Sequence, residues 1–174
     1  MVASSVVMTS DKPSARPSAC AGGMPAAVRR LASLRVSKTA MVITGNLRGW
    51  LIGGPTPGAI AVKVIGGFDL TDAAALPDGG IVVLERRFRY SEGVKMRIRR
   101  IAANELKPGA LIAGEILLEA HDNLNIDNME GIAAHRSASG ETILTLISDD
   151  NFSALQRTLL MQFALPDGKP VLAE

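Results

Sequence analysis

The sequence predicts an all-β fold of the β-propeller type, with about two four-stranded blades. Short apolar segments of strand length follow one another along the chain, and turns rich in Gly, Pro, Asp and Ser separate them. The series also repeats once, and self-similarity over tens of residues is typical of propellers and solenoids. A closed propeller needs about four to eight blades, so we expect an incomplete one.

Composition fits one folded domain and excludes several kinds of partner. The chain has 174 residues, of which 47% are hydrophobic, and its formal net charge is +2. Such a small charge would not gather nucleic acid or an anionic membrane surface. No apolar run approaches the roughly 20 residues of a membrane-spanning helix. We therefore expect neither a nucleic-acid partner nor a membrane partner. The single cysteine, Cys20, excludes an internal disulfide.

Residues 1–43 are predicted to form a disordered or weakly helical leader, 44–165 the folded domain and 166–174 a C-terminal tail. The leader is rich in Ser, Ala and Arg, and such sequence buries too little apolar area to offset backbone ordering. Its most regular element would be a short amphipathic helix within 25–36. The N-terminus lacks the charged-then-apolar order of a secretory signal, which predicts a cytoplasmic chain as given.

Eight β segments are predicted after residue 58, each bounded by turn residues and none interrupted by a helical pattern. They cover residues 59–65, 72–76, 81–85, 95–101, 115–119, 131–135, 142–147 and 158–165.

The internal repeat relates two groups of these segments. Residues 72–75 align with 130–133, so that Asp72 corresponds to Glu130 as the acidic residue opening a short buried strand. After a turn about four residues longer in the second copy, 81–85 align with 143–147. The segment 115–119 supplies a fourth strand, which completes a propeller blade.

Acidic and amide side chains gather before and after the second copy. They are Glu119, Asp122, Asn123, Asn125, Asp127, Asn128 and Glu130, followed by Asp149, Asp150 and Asn151. Hard oxygen ligands of this kind suit calcium or magnesium. Asp127, Glu130, Asp149 and Asp150 are therefore candidate ligands of a Ca²⁺ ion.

An EF-hand cannot hold this ion. Counting from Asn123, loop position six is Asn128 where glycine is needed, and position twelve is Ala134 where glutamate is needed. The alternative to a metal role is that Asp and Asn cap turns and accept backbone hydrogen bonds. Glu130 favours the ion, because it opens a predicted buried strand where an unpaired carboxylate is costly.

A basic run follows the first copy of the repeat: Arg86, Arg87, Arg89, Lys95, Arg97, Arg99 and Arg100. Guanidinium groups bind phosphoryl oxygens bidentately, so Arg86 and Arg87 are candidate ligands of an anion. A solvated strand face is the alternative, and the alternation of Met96 and Ile98 with basic residues favours it.

No catalytic residue is assigned by the sequence. It contains neither a Gly-x-Ser-x-Gly elbow nor a His-Glu-x-x-His motif, and nothing pairs its two histidines, His121 and His135. A metal-activated water is the hydrolytic mechanism that the residue types support best.

Several of these motifs together resemble one family. Glu-Gly-Ile-Ala at 130–133 and Ser-Asp-Asp-Asn at 148–151, with the segments 66–72 and 84–88, resemble the phytase-like domain, also described as "esterase-like activity of phytase". The resemblance covers residues 48–165. It implies a β-propeller, usually exported by bacteria to the periplasm or beyond, that hydrolyses small-molecule phosphate or carboxylate esters.

Two hypotheses compete with a hydrolase. One is a non-catalytic binding or structural fragment, in which the acidic residues only tie strands together. The other is a truncated, inactive chain, because two blades leave sheet edges unpaired and open to self-association.

Overall fold

The computed structural model describes residues 5–8, 32–41, 45–52, 56–121 and 126–165. These residues form twelve strands and one short 3₁₀ turn, Ala103–Glu105, and no α-helix occurs within them. No helix in the described part of the chain is long and apolar enough to cross a membrane. The prediction of an all-β fold is therefore confirmed, whereas the incomplete propeller stays a prediction.

The strands form three sheets that follow one another along the chain, except that residues 111–112, which lie between two strands of the second sheet, join the first. The first sheet has the order β1-β2-β3-β4-β8, in which β8 runs parallel to β4. Its strands are β1 (Ser5–Met8), β2 (Ala32–Met41), β3 (Leu47–Ile52), β4 (Gly58–Val62) and β8 (Leu111–Ile112).

The second sheet is an antiparallel four-stranded sheet in the order β5-β6-β7-β9. It is formed by β5 (Asp69–Ala75), β6 (Ile81–Arg89), β7 (Gly93–Ile101) and β9 (Glu115–His121). The third sheet has the order β10-β11-β12, formed by β10 (Met129–Arg136), β11 (Thr142–Ser148) and β12 (Leu160–Leu165). The strands predicted from residue 59 onward are thus all present, with ends displaced by a few residues.

Two segments of the expected leader are strands. β1 pairs with β2, and β2 pairs with β3, both antiparallel. The expectation of disorder or weak helix is wrong at these segments, and β2 occupies the end of the helix expected within 25–36. Composition was a poor guide because strand pairing uses backbone N–H and C=O groups, which Ser- and Arg-rich sequence also supplies. The domain boundaries stay predictions.

Both faces of the second sheet are covered, which explains the unbroken apolar run at the start of β6. Ile81 and Val83 pack with side chains of the first sheet, such as Ile60 and Val62. The alternating residues Val82 and Leu84 pack on the other face with side chains of the third sheet: Leu144, Leu146, Met129 and Ile132. A strand buried on both faces is apolar at consecutive positions rather than at alternate ones.

The first strands of the three sheets are neighbours in space. β5 contacts both β1 and β10. A side-chain bond joins two of them, because the Asp72 Oδ2 atom accepts a hydrogen bond from the Ile132 N–H at 2.9 Å. The sheets therefore stack face to face with their first strands along one side.

The two repeat copies share one type of hairpin loop. Residues 76–80 join β5 to β6, and residues 137–141 join β10 to β11. In each loop the N–H of the first residue donates to the carbonyl oxygen of the fifth at 2.9 Å. The fourth residue, Gly79 or Gly140, has a φ of +86° or +89°, in the left-handed region that glycine enters without strain. The turn is therefore not longer in the second copy, as the sequence had suggested.

The extra residues lie in the strands instead. A β-bulge interrupts the register between Leu70 and Asp72 in β5, and another between Met129 and Gly131 in β10. From bulge to loop, β10 and β11 are each two residues longer than β5 and β6. Each bulge leaves one residue unpaired, Thr71 in β5 and Glu130 in β10, so these two residues are the structural equivalents of each other in the two copies. The alignment of Asp72 with Glu130 is therefore wrong by one residue. A bulge shifts the register by one position without a marker in the sequence.

Candidate functional site

The two predicted groups of acidic and amide residues meet at one end of the third sheet. There β10 begins and β11 ends, so residues 127–130 lie beside residues 149–151. The Asp149 N–H donates to the Asn128 carbonyl oxygen at 3.0 Å, and the Asn128 Nδ2 lies 3.5 Å from the Asp149 carbonyl oxygen. The fold thus brings the two segments together, although they are about 20 residues apart in the sequence.

Asp127 anchors the loop that follows β11. Its side chain is nearly buried, and its Oδ1 accepts a hydrogen bond from the Asn128 N–H at 2.8 Å. Its Oδ2 accepts one from the Arg157 N–H at 2.9 Å. Both carboxylate oxygens therefore bind backbone donors of this chain.

Asp149 and Asp150 shape the turn between β11 and β12. The Oδ1 atom of Asp149 accepts from the Asn151 N–H, and that of Asp150 from the Phe152 N–H, each at 3.0 Å. Asn151 and Phe152 have φ values of 48° and 56°, a strained region for residues with a side chain. The two carboxylates hold this strained turn, which is a common role of Asp. The Oδ2 of Asp150 also accepts from the Thr158 hydroxyl at 3.3 Å.

Glu130 sits on the bulge of β10, and 36% of its side chain is exposed. The sequence suggested a buried carboxylate, but the bulge turns this side chain towards solvent. Its Oε1 lies 3.6 Å from the NH1 atom of Arg86, which also donates to the Asn128 Oδ1. Arg86 of β6 thus joins the second sheet to the acidic end of the third.

The candidate calcium ligands do not form a metal cluster by themselves. Within the described ranges, no three Asp, Glu, His or Cys side chains stand close enough together to hold an ion. Asp122, Asn123 and Asn125 lie outside the described residues. Glu119 is turned to the other face of the second sheet, where it binds Arg97. The Ca²⁺ site stays a prediction.

The candidate anion ligands lie on opposite faces of β6. Arg86 contacts Asn128, as described, whereas Arg87 donates to the Gly66 carbonyl oxygen at 2.7 Å and to the Glu92 Oε2 at 2.6 Å. Consecutive residues of a strand point to opposite faces. The two guanidinium groups therefore cannot share one phosphoryl group.

Two of the remaining basic side chains, Arg97 and Arg99, form a buried ion-pair network instead of a solvated face. Arg99 is fully buried and donates hydrogen bonds to both carboxylate oxygens of Glu85. The distance from the Arg99 Nε to the Glu85 Oε2 is 2.9 Å. Arg97 is 5% exposed, and its NH1 lies 3.8 Å from the same Oε2. The interpretation as a solvated face is wrong for these two arginines, because neighbouring strands supply their acidic partners.

Arg97 is also held from two further sides. Its Nε and NH2 atoms bind the Glu119 Oε2 at 3.0 and 2.8 Å, and its NH1 donates to the Ile65 carbonyl oxygen at 2.9 Å. Its guanidinium lies over the Phe68 ring, 3.9 Å from the centroid. Cation–π contacts of this kind add attraction when both groups are buried. The network therefore ties β7, β9 and the loop before β5 together.

Comparison with known proteins places the chain in a family. The family model described as "Phytase-like: Esterase-like activity of phytase" matches residues 44–152. The chain belongs to the phytase-like family. Searches of curated proteins and of solved structures found no match.

The phytase-like match begins three residues before β3 and ends in the turn after β11. It therefore includes the buried network and the acidic end of the third sheet up to Phe152. The resemblance recognised in the 130–133 and 148–151 motifs is confirmed, and these motifs are the segments that meet at the candidate site.

Several carboxylates among the described residues of this phytase-like chain have shifted pKa values, and two of them belong to the basic strands β6 and β7 and their turn. Burial raises the pKa of Glu85 above its usual value, against the hydrogen bond and charge of Arg99 and the charge of Arg97. Hydrogen bonds from Lys95 and Arg89 lower the pKa of Glu92, at the β6–β7 turn, to about 2. Glu85 is the buried charge that sequence analysis missed, although a lone acidic residue after the apolar run 81–84 could have indicated it.

The two histidines lie on strands of different sheets. His121 is at the end of β9, opposite Lys95 of β7, and His135 is on β10, opposite Ile143 of β11. Both are exposed. This placement gives no support to an acid–base pair.

Proposed function

We propose that this chain forms part of a β-propeller hydrolase of phosphate or carboxylate esters, with its substrate site at the acidic end of the third sheet. The observation that carries the proposal is the meeting of Asn128, Glu130 and Asp149 with Arg86 from the adjacent sheet. Membership of the phytase-like family supports the hydrolytic class.

The stacking of the sheets supports the propeller. Its blades are sheets of about four strands whose first strands line the central axis. Here β1, β5 and β10 lie side by side, and consecutive sheets share an apolar core. The described part of the chain would then supply three blades rather than the two expected.

The donor set fits a hard cation such as Ca²⁺ only in part. Glu130 and Asp149 are exposed enough to offer oxygens to an ion, whereas Asp127 and Asp150 already bind the chain itself. A bound cation would supply an activated water for hydrolysis. Arg86, fixed by Asn128, would neutralise charge next to Glu130 and orient an anionic substrate group.

Ester hydrolysis tests the proposal directly. We expect the protein to cleave p-nitrophenyl phosphate or p-nitrophenyl acetate in the presence of Ca²⁺, and we expect Glu130→Gln to abolish the activity. Glu115→Gln, at the exposed start of β9, is the matched control and should retain full activity. Absence of turnover by the unmodified protein at high concentration would contradict the proposal.

Ion binding is tested separately by thermal unfolding. A ligand that binds the folded state raises the melting temperature by mass action. We expect a rise with millimolar Ca²⁺ that Asp149→Asn weakens. An unchanged melting temperature would contradict Ca²⁺ binding. Ester hydrolysis would still be decided by the activity assay.

A non-catalytic role is the second candidate, and one observation favours it. Asp127 and Asp150 use all four of their carboxylate oxygens to hold the loop after β11. The acidic residues would then be structural, as Asp residues in turns are. This candidate predicts that Asp127→Asn lowers stability and that Ca²⁺ changes nothing.

A further inference from the structure

An exposed pair of aromatic rings stands at the end of β6. Phe88 is 59% exposed, and Tyr90, in the turn that leads to β7, is 99% exposed. The centroids of the two rings lie 6.1 Å apart in an edge-to-face arrangement. Burial of a ring is strongly favourable, and the chain has only one Trp, one Tyr and four Phe to bury. Two adjacent rings left in solvent by so aromatic-poor a chain indicate a binding surface, which we call the aromatic ledge.

The aromatic ledge lies on the face of β6 that is turned to the third sheet. On this face Leu84 packs with side chains of the third sheet, and Arg86 binds the Asn128 side chain. The pairing of β6 with β7 has no register shift along the whole strand. Alternate residues of a regular strand share a face, so Phe88 is on the same face as Arg86, and Tyr90 lies against Phe88.

This position puts the ledge beside the proposed substrate site. Arg86 marks that site, because its NH1 atom lies 3.6 Å from the Glu130 Oε1 at the start of β10. Phe88 follows two residues later on β6, which is about 7 Å further along at about 3.4 Å per residue. The ledge therefore extends past the start of the third sheet, next to Arg86.

Little positive charge is available beside the ledge. Arg86 supplies one guanidinium group. Arg87 lies on the opposite face of β6 and donates to the Glu92 Oε2 at 2.6 Å. Arg157, on the loop after β11, lies 3.8 Å from the Asp127 carboxylate, which compensates its charge. Among the described residues at this end of the sheets, Arg86 is thus the cation best placed to bind an acid group.

Negative charge is more abundant there. Glu130, Asp149 and Asp150 all lie at this end of the third sheet. These three carboxylates exceed the single charge of Arg86 by two, so one Ca²⁺ ion would only bring the site close to neutrality. Like charges brought together across an interface oppose binding. A substrate with several phosphoryl groups is therefore disfavoured, and one with a single acid group is favoured.

We infer that the aromatic ledge binds the ring of an aryl ester whose single phosphoryl or carboxyl group contacts Arg86. The inference rests on the proposed function and names its substrate class. In an aryl ester one oxygen joins the ring to the acid group, so the molecule is short enough to contact Arg86 and Phe88 together. Aromatic rings pack edge-to-face or offset-stacked, while Arg86 donates hydrogen bonds to the acid oxygens. The ledge residues determine specificity and take no part in bond cleavage.

Binding of phenylphosphonate tests the ledge without turnover, because its phosphorus–carbon bond is not an ester bond. We expect calorimetry in the presence of Ca²⁺ to show affinity about fivefold to tenfold higher than for methylphosphonate. The double variant Phe88→Ser and Tyr90→Ser should bind both phosphonates equally. Leu111→Ser, at a residue 58% exposed on the first sheet, is the matched control and should keep the preference. Equal affinities in the unmodified protein, or no binding of phenylphosphonate, would overturn the inference.

Kinetics separates failure of this inference from failure of the proposed function. With the p-nitrophenyl ester that the protein cleaves, the double variant should raise KM about fivefold to tenfold and change kcat by less than about twofold. Hydrolysis with an unchanged KM in the double variant would overturn the ledge and retain the hydrolase. Ring-dependent binding of phenylphosphonate without any hydrolysis would overturn the hydrolase and retain the ledge as a binding site.

Competition with a polyanion tests the charge argument. We expect inositol hexasulfate to displace phenylphosphonate at concentrations no lower than those needed with sodium sulfate, because the surrounding carboxylates repel additional negative charge. Displacement at concentrations more than about tenfold lower would correspond to a real gain in binding free energy. That result would overturn the assignment of a substrate with a single acid group.

Discussion

The carboxylate of Asp72 on β5 accepts a hydrogen bond from the backbone N–H of Ile132 on β10, with 2.9 Å between Oδ2 and N. The donor lies two residues after the bulge at Glu130, in a strand that belongs to a different sheet. The strands β5 and β10 do not pair with each other through their backbones. The side chain of Asp72 therefore serves as the acceptor for a backbone N–H of the neighbouring sheet.

Loss of this bond should weaken the junction between the second and third sheets. We expect Asp72→Ala to lower the free energy of unfolding by about 1.5–3 kcal/mol, because the Ile132 N–H loses a charged acceptor. Asp72→Asn keeps an acceptor oxygen and should cost less. Urea denaturation measures both, with exposed Asp69→Ala on the same strand as the control. Equal losses for Asp72→Ala and Asp69→Ala would contradict this role.

The buried pair of Glu85 and Arg99 should respond differently to single and double substitution. Arg99→Met leaves the Glu85 carboxylate buried without its main partner, and we expect a loss of about 3–5 kcal/mol in unfolding free energy. Glu85→Leu combined with Arg99→Met removes both charges and should recover most of that loss.

The neighbouring Arg100 provides the comparison on the same strand. It pairs with Asp78 near the surface, and such pairs contribute at most about 1 kcal/mol. If Arg100→Met proved as damaging as Arg99→Met, the buried pair would have no special weight.

Glu92 should make stability depend on acid pH. Its pKa in the folded protein is about 2, below the usual 4.5, because Lys95 and Arg89 bind its carboxylate. The unfolded chain therefore binds more protons between these two values, and stability falls as pH decreases through this window. Glu92→Gln should remove this contribution, so that the variant is less stable than the unmodified protein above about pH 4.5 and the two converge towards pH 2.

The pH profile of unfolding free energy checks this expectation, and salt provides its control. High salt screens exposed ion pairs, because the Debye length falls to about 3 Å at 1 M ionic strength. The difference in stability between the two proteins should therefore shrink in 1 M NaCl. Glu85 acts in the opposite sense. Its raised pKa makes stability decrease as pH rises from the usual value towards the folded one.

Asp127 should hold the loop that connects β11 to β12. Asp127→Ala removes the acceptor of the Asn128 and Arg157 N–H groups, and we expect a loss of about 1–3 kcal/mol. The same variant should be cut faster by protease within residues 149–158. Asp149→Ala frees one exposed N–H in the turn and should cost less than about 1 kcal/mol. Unchanged proteolysis of Asp127→Ala would show that the loop is held by other contacts.

The local sequence pattern predicted the strands well, because turn-forming residues mark the ends of the strands. Pro77, Asp78 and Gly79 end β5, and Ser137 to Gly140 end β10, at the positions where the structure turns. The convergence of residues 127–130 with 149–151 could also be predicted, since the repeat implied adjacent strand ends. Information of this kind is contained in short stretches of the chain.

Long-range pairing was not predictable in the same way. Arg97 and Arg99 alternate with apolar residues as a solvated strand would, and only Glu85 and Glu119 from neighbouring strands make them interior groups. The bulge at Glu130 has no recognisable sequence signal either, so the alignment of the two repeat copies was wrong by one residue. β2 was missed because its Ser- and Arg-containing sequence pairs through the backbone.

The longer arms of the second hairpin show how such a repeat can change length. Each of β10 and β11 carries two extra residues between bulge and loop, which moves the 137–141 loop outward by roughly 7 Å at about 3.4 Å per residue. An insertion of two leaves every following side chain on its original face, whereas an insertion of one would exchange core and surface along the whole strand. Copies of this unit can therefore differ in length only if both strands of the hairpin gain an even number of residues together. The loop between the strands then keeps its conformation.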